Sequence, residues 1–235
     1  MSASWYISSL RKGSRLTAVW TIGHSTHDWP KFETLLAAAD IGAVADVRSF
    51  PSSRLPHFGR AALTGRLNAV GVAYVYLGLE LGGRRGKGSA ADYETMAKGP
   101  LFLEGLSKIE AIASRARLAL MCSEHDPLAC HRCLLVGRRL VERGIDVAHI
   151  LRDGRIEPNA ATEERLLKLT RQTERDLFGS RDDRLARAYR IQNRRLWRVS
   201  AMKRQRTDAV LAVRMVDRFE PIRRSRPCFD RGRKL

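Results

Sequence analysis

The sequence predicts an α/β fold: a Rossmann-like, mostly parallel sheet flanked by helices, with a basic C-terminal extension. Three observations predict it. Short β-branched, apolar runs alternate with stretches of helical period, which is the signature of strand–helix–strand units. Gly, Pro and cap residues punctuate the boundaries. The segments richest in chemistry fall just after apolar runs, at the carboxyl ends of the expected strands, where sheets of this class hold ligands.

The first strand is Leu16–Ile22, LTAVWTI, stopped by Gly23. Asp28-Trp29-Pro30 supplies a cap and an early proline for a helix whose Phe32, Leu35, Leu36 and Ala39 make an i, i+3, i+4, i+7 stripe. Asp40-Ile41-Gly42 ends it, and Ala43–Val47 is the second strand, giving an opening βαβ unit read as a parallel pair. Ser49–Gly59 is too rich in Pro and Ser for regular structure. A short helix over Arg60–Val70 leads to a strand at Val72–Leu77, and Gly78–Ser89, GLELGGRRGKGS, reads as a flexible basic loop. The next helix, Pro100–Arg115, carries Leu103, Leu106, Ile109 and Ile112, and Leu118–Met121 is another strand. A helix over Cys130–Arg143 ends at Gly144, and Asp146–Leu151 is the last strand. Helical pattern resumes at Thr162 and again over Asp183–Trp197, then fades beyond Ser200. The expected division is an α/β domain over 16–155 and a basic extension over 156–235, helical to about 198 and disordered after it.

Composition narrows the function classes. The chain has 235 residues and no apolar run near the ~20 residues that span a bilayer, so no membrane role is expected. The N-terminus lacks a basic segment ahead of an apolar core, so secretion is not expected. Three of the 4 cysteines fall between positions 122 and 133, a pattern that suits reduced thiols or metal ligands in the cytoplasm. The formal charge is +18, with 19 basic against 13 acidic residues through Ile150 and 24 against 12 from Leu151 onward. A basic extension attracts polyanions through counterion release, or merely keeps a solvated tail soluble.

The chemistry concentrates in three motifs: TIGHST at Thr21–Thr26, DVRSFPSSR at Asp46–Arg54, and RLALMCSEHDPLACHR at Arg117–Arg132. Together they closely resemble the bacterial and archaeal domain of unknown function 488 family. The resemblance runs from about Val19 to Arg155, and more weakly to about Arg195 around AYRIQNRR. It implies an α/β domain and no established reaction.

Cys122, Glu124, Cys130, His131 and His24 are the candidate catalytic residues. A thiol at a helix N-terminus beside an arginine tends toward thiolate, and a nearby carboxylate or imidazole can handle its proton. Three thiol readings stand open. A rhodanese- or phosphatase-like loop places Arg six positions after its Cys, whereas Arg132 lies ten after Cys122. Cys130-His131-Arg132-Cys133 is a C-x-x-C of redox type. Cys122, His125, Cys130 and Cys133 offer donors for zinc or iron, without a standard knuckle spacing and with no cofactor assigned. Arg48, Ser49, Ser52, Arg54 and Arg132 are candidate anion ligands, supported by Gly23, Ser25 and Asp46. Asp46 pinning Arg48 in a structural ion pair is the competing reading. Phe50 and Phe58 read as core residues, with base stacking as the alternative. The partner these features suggest is an anionic ligand, a nucleotide or nucleic acid, met in the cytoplasm by an enzyme, a sensor or a non-catalytic binding module.

Overall fold

The computed structural model describes residues 18–83, 93–173 and 180–216, with side chains up to Arg198. Residues 18–195 of this set fall in one compact unit, and the helical residues from Leu196 to Val216 belong to a second. The expected loop cations Arg84, Arg85 and Lys87 and the end of the chain beyond Val216 lie outside the described residues. Among the described residues no helix is long and apolar enough to cross a membrane.

Six strands form one sheet in the order β3-β2-β4-β1-β5-β6. They are β1 (Ala18–Gly23), β2 (Ala43–Asp46), β3 (Ala73–Tyr76), β4 (Leu118–Cys122), β5 (Asp146–Ile150) and β6 (Ile156–Pro158). The first five run parallel and β6 is antiparallel to β5. The α/β class is therefore the observed one. The expected β1–β2 pairing is not: β4 lies between them, paired to both. Local pattern cannot see this, because β4 is supplied some seventy residues later and its fully buried LALMC demands a position with neighbours on both edges.

Helix α1 (Trp29–Ala38) starts as its sequence predicts, with the Asp28 carboxylate accepting from Lys31 N at 2.9 Å and Pro30 in the first turn. Its buried Phe32, Leu35 and Leu36 pack with Trp20 and Ile22 of β1 and with Phe58, Leu63 and Leu67 from the next segment. The chain leaves α1 through Asp40 at φ 53°, ahead of the expected glycine. A 3-10 turn over Pro56–Phe58 sits inside the Pro-rich segment and plants Phe58 in the core, whereas Phe50 is 67 % exposed, against the core reading. Helix α2 (Arg60–Ala69) follows.

Gly78–Leu81 is not loop but a helical turn, α3, with Glu80 and Leu81 buried. Helix α4 (Tyr93–Met96) and helix α5 (Pro100–Ala113) follow. Helix α5 buries Phe102, Gly105, Leu106 and Ile109, and leaves Leu103 41 % exposed, so its inward face is rotated from the expected stripe. The cause is close packing on α3: a Cβ at Gly105 would fall 2.7 Å from both Glu80 Cβ and Leu81 Cδ2. The expected Cys130–Arg143 helix is two pieces, a π-helical turn over Arg132–Gly137 and α6 (Arg138–Glu142), preceded by a 3-10 turn over Pro127–Ala129 and closed by Gly144 at φ 78° as predicted.

Helix α7 (Asn159–Thr170) begins three residues before Thr162, which lies inside it and donates to Glu157 Oε2 at 3.0 Å rather than capping. Helix α8 (Arg181–Val216) runs past the expected end near 198. Its first turns join the compact unit through Leu185, Ala188 and Tyr189, all buried, and through Gln192 Nε2 donating to Leu128 O at 2.8 Å. The sheet's edge strand β6 and helix α7 thus lie beyond the division expected near 155.

Replacing Gly105 with Ala should overpack the α3–α5 contact and cost about 1–3 kcal/mol. The check is a urea denaturation midpoint that falls with an unchanged slope.

Candidate functional site

Three neighbouring strands, β2, β4 and β1, end side by side and carry the three motifs. Beyond the ladder, His24 N donates to Cys122 O and Ser25 N to Ser123 O, each at 2.9 Å, and Val47 N donates to Met121 O at 3.1 Å. Gly23 is required by this approach, since a Cβ there would lie 1.9 Å from Glu124 O. Ser25 adopts φ 48° to turn the chain away, a left-handed conformation rarely taken by residues with a side chain.

Cys122 ends β4, and the chain loops back through the Pro127 turn, which Asp126 caps by accepting from Leu128 N at 3.0 Å. Cys130 is extended, at φ −140° and ψ 143°, and stands just before the helical run rather than within it. His131 Nε2 donates to Val47 O at 2.8 Å, so its Nδ1 faces inward. That nitrogen lies 3.7 Å from Cys122 Sγ and 3.7 Å from Cys130 Sγ, and the three ligand atoms lie within 4.8 Å of one another. Gly83 backs the imidazole, where a Cβ would meet His131 Cγ at 2.6 Å. The π turn that follows widens the backbone directly after this cluster, a distortion often found at functional sites.

The two sulphurs are unequal. The hydrogen bond to Cys130, and then burial, push the Cys122 thiol well above the ordinary range. Burial alone would raise Cys130 too, but the hydrogen bond from Cys122 and the charges of Arg132 and His131 hold it well below that range. Burial lowers His131, yet the neighbouring Cys130 sulphur outweighs it and raises the imidazole. Cys133 is buried, which pushes its thiol up, and it stays out of the cluster, as does the exposed His125. The donor set differs accordingly from the sequence-derived one: His131 replaces His125 and Cys133.

Two of the three candidate anion-binding arginines are already engaged. Arg48 meets Asp46 in a forked pair, Nε to Oδ1 at 2.9 Å and Nη2 to Oδ2 at 2.6 Å, with Nη1 donating to Phe58 O at 2.9 Å. Tyr74 also donates to Asp46 Oδ2 at 2.9 Å. The Asp46–Arg48 ion pair named as the competing reading is therefore present. His24 accepts from Arg48 Nη1 at 3.4 Å, donates from Nδ1 to Ser25 O at 3.1 Å, and stacks on Phe58 with centroids 4.4 Å apart. Burial, then Arg48, hold this imidazole down at about 4, so it is neutral near pH 7.

Arg132 is fully buried. Its Nη1 donates to Glu124 O, Nη2 to His125 O at 3.0 Å and Nε to Thr21 Oγ1 at 3.3 Å. Thr21 passes the polarity on to His149 Nδ1 at 2.8 Å, His149 Nε2 donates to Asn159 Oδ1 at 3.2 Å, and Asn159 Nδ2 donates to Glu163 Oε1 at 3.1 Å. The Asn159–Glu163 contact orients the amide and thereby the His149 tautomer. Burial, then Arg132, hold His149 down at about 3.

The remaining candidates are not among the three clustered donors. The Glu124 side chain is exposed and only its carbonyl is used. Ser49 O accepts from Tyr76 OH at 2.9 Å, Ser52 O lies 3.4 Å from Arg48 Nη1, and Arg54 is exposed. Sequence reasoning passed over Thr21, His149 and Gly83. The first two carried a readable signal, a polar residue inside an otherwise apolar strand, while Gly83 was hidden in a glycine-rich run.

Buried neutral imidazoles predict acid sensitivity. His24 and His149 sit below the ordinary 6.5, at about 4 and about 3, so the unfolded chain binds more protons as pH falls. Their contribution is whole above pH 6.5 and drains below it, by up to about 1.4 kcal/mol per pH unit for each group. His149→Gln should flatten the decline of the urea midpoint between pH 6 and pH 4; an unchanged slope would assign the effect elsewhere.

No curated protein and no solved structure matches the chain. Residues 28–138 match the family model described as Domain of unknown function DUF488. That span takes in DVRSFPSSR and the whole Cys122–Arg132 segment, and begins just after TIGHST. Over that span the chain is similar to the DUF488 family.

Proposed function

We propose that this domain works through a thiol centre, as an enzyme or sensor whose working groups are Cys122, Cys130 and His131. The observation that carries the reading is the convergence of two sulphurs and one imidazole nitrogen at the carboxyl ends of β4 and its neighbours. Two of the other charged candidates are tied into the fold: Arg48 serves Asp46, and Arg132 serves backbone carbonyls. A phosphate cradle built on those two guanidinia loses its donors, which moves the chemistry to the sulphurs. A soft or electrophilic small species is the partner such a centre favours.

After chelator treatment, Cys130 should react with methyl methanethiosulfonate faster than an ordinary thiol, and keep that rate at pH 6, where a free cysteine of pKa about 8.5 is protonated. Cys130→Ser should abolish the fast phase, with the modified site assigned by mass spectrometry. A fast phase missing from the wild type, or surviving in the variant, would overturn the reading.

A second role draws on helix α8. From Arg184 to Thr207 this helix carries only basic charges, and Arg190 and Arg194, one turn apart and exposed, have no ion pair among the described residues. Like charges at i, i+4 weaken a helix unless an anion meets them. Binding to duplex nucleic acid should fall steeply with salt, and the double variant Arg190→Glu, Arg194→Glu should bind more weakly with a shallower salt dependence. Binding unaffected by the variant would remove these residues from the contact.

A further inference from the structure

We infer that Cys122, Cys130 and His131 form a three-ligand site for a zinc-class divalent metal ion, with a fourth position open to water or substrate. This rests on the thiol-centred reading above and names what the centre holds.

Distances argue first. Zinc bonds of about 2.3 Å to sulphur and about 2.0 Å to nitrogen, at the tetrahedral angle, set sulphur and nitrogen about 3.5 Å apart. His131 Nδ1 lies 3.7 Å from each of the two sulphurs. A hydrogen bond alone would draw the nitrogen toward one sulphur; equal separations are those of donors arranged around a common centre.

The imidazole is also prepared for ligation. Its outer nitrogen donates to Val47 O at 2.8 Å, the backbone contact that usually fixes the tautomer and ring direction of a metal-bound histidine. Gly83 packs against the ring: a Cβ at that position would fall 2.6 Å from Cγ, 2.8 Å from Cβ and 3.0 Å from Nδ1. Any other residue would crowd the ligating atom.

Chemistry and charge select the ion. Two thiolates and an imidazole are soft and borderline donors, suited to zinc, cobalt or iron(II) and poor for magnesium or calcium. Two thiolates cancel a divalent charge, so the loaded cluster adds no net charge to a region that already buries Arg132. Binding forms two M–S bonds and one M–N bond, and releases to solvent whatever protons the two thiols and Nδ1 carried. Among the described residues no fourth His, Cys, Asp or Glu joins the group. A two-Cys, one-His set with one vacant position is of the kind used by catalytic zinc rather than structural zinc.

The test uses the full-length protein, stripped with chelator under reducing conditions and titrated with cobalt(II), alongside metal analysis of protein as purified. The expected result is saturation at one equivalent, with tetrahedral d–d bands and intense thiolate-to-cobalt charge transfer, and displacement by zinc. Cys122→Ser and Cys130→Ser should each lose more than about 100-fold in affinity and part of the charge-transfer band, since a lost ligand outweighs a lost outer partner. His125→Ala, a control at an exposed position, should bind like the wild type. The wild-type spectrum reports the sulphur ligands even if a variant fails to fold. Absence of charge transfer in the wild type, or an unchanged spectrum in Cys122→Ser, overturns the metal site. Should that happen while Cys130 still reacts fast with the thiosulfonate, the thiol-centred reading stands without a metal; loss of both signals removes both.

Discussion

The burial of Arg132 is the constraint on which the rest of this structure depends. A guanidinium removed from water must find an acceptor for each donor, and here the acceptors are mostly backbone: Glu124 O, His125 O and the Thr21 hydroxyl. Satisfying them dictates the path of the loop after β4. That loop in turn returns the chain so that Cys130 faces Cys122 across the strand end, with Arg132 N 3.5 Å from Cys130 Sγ. The arginine therefore shapes the sulphur pair twice, by the course of the backbone and by its charge beside the thiol.

Its reach extends to the far side of the sheet. From Arg132 through Thr21, His149 and Asn159 to Glu163, every hydrogen bond points the same way, from the cation toward the carboxylate. Such a one-directional chain lets the two charges favour each other without contact, each link polarising the next. It also ties β1, β5 and α7 to the site. The β6–α7 segment, which looks on sequence like the start of a basic tail, is by this chain a structural part of the same unit.

Asp46 and Arg48 repeat the principle on the next strand. The forked pair, with Tyr74 and the Phe58 carbonyl completing it, closes the Pro-rich segment over the sheet and presses His24 into a neutral, stacked position. Charges that resemble ligand-binding groups in the sequence thus serve as internal fastenings. The groups left facing one another are softer and less conspicuous: two thiols and an imidazole whose outer nitrogen is already held by Val47.

Local information determined the elements. The Asp28 cap, the Phe32–Leu36 stripe, the Gly144 terminus and the apolar runs of β1 and β4 act over four residues or fewer, so their physics is complete within the sequence window. The chemistry-bearing segment Cys122–Arg132 was legible for the same reason, as thiols and imidazole gathered at a strand end. Tertiary structure alone decided which strands are neighbours, that GLEL folds as a turn of helix on Gly105, and which histidine meets the sulphurs. The reason is the same in each case. Whether a donor is spent or free depends on acceptors brought from distant strands, as Phe58 O and Val47 O are, and no spacing along the chain records that encounter.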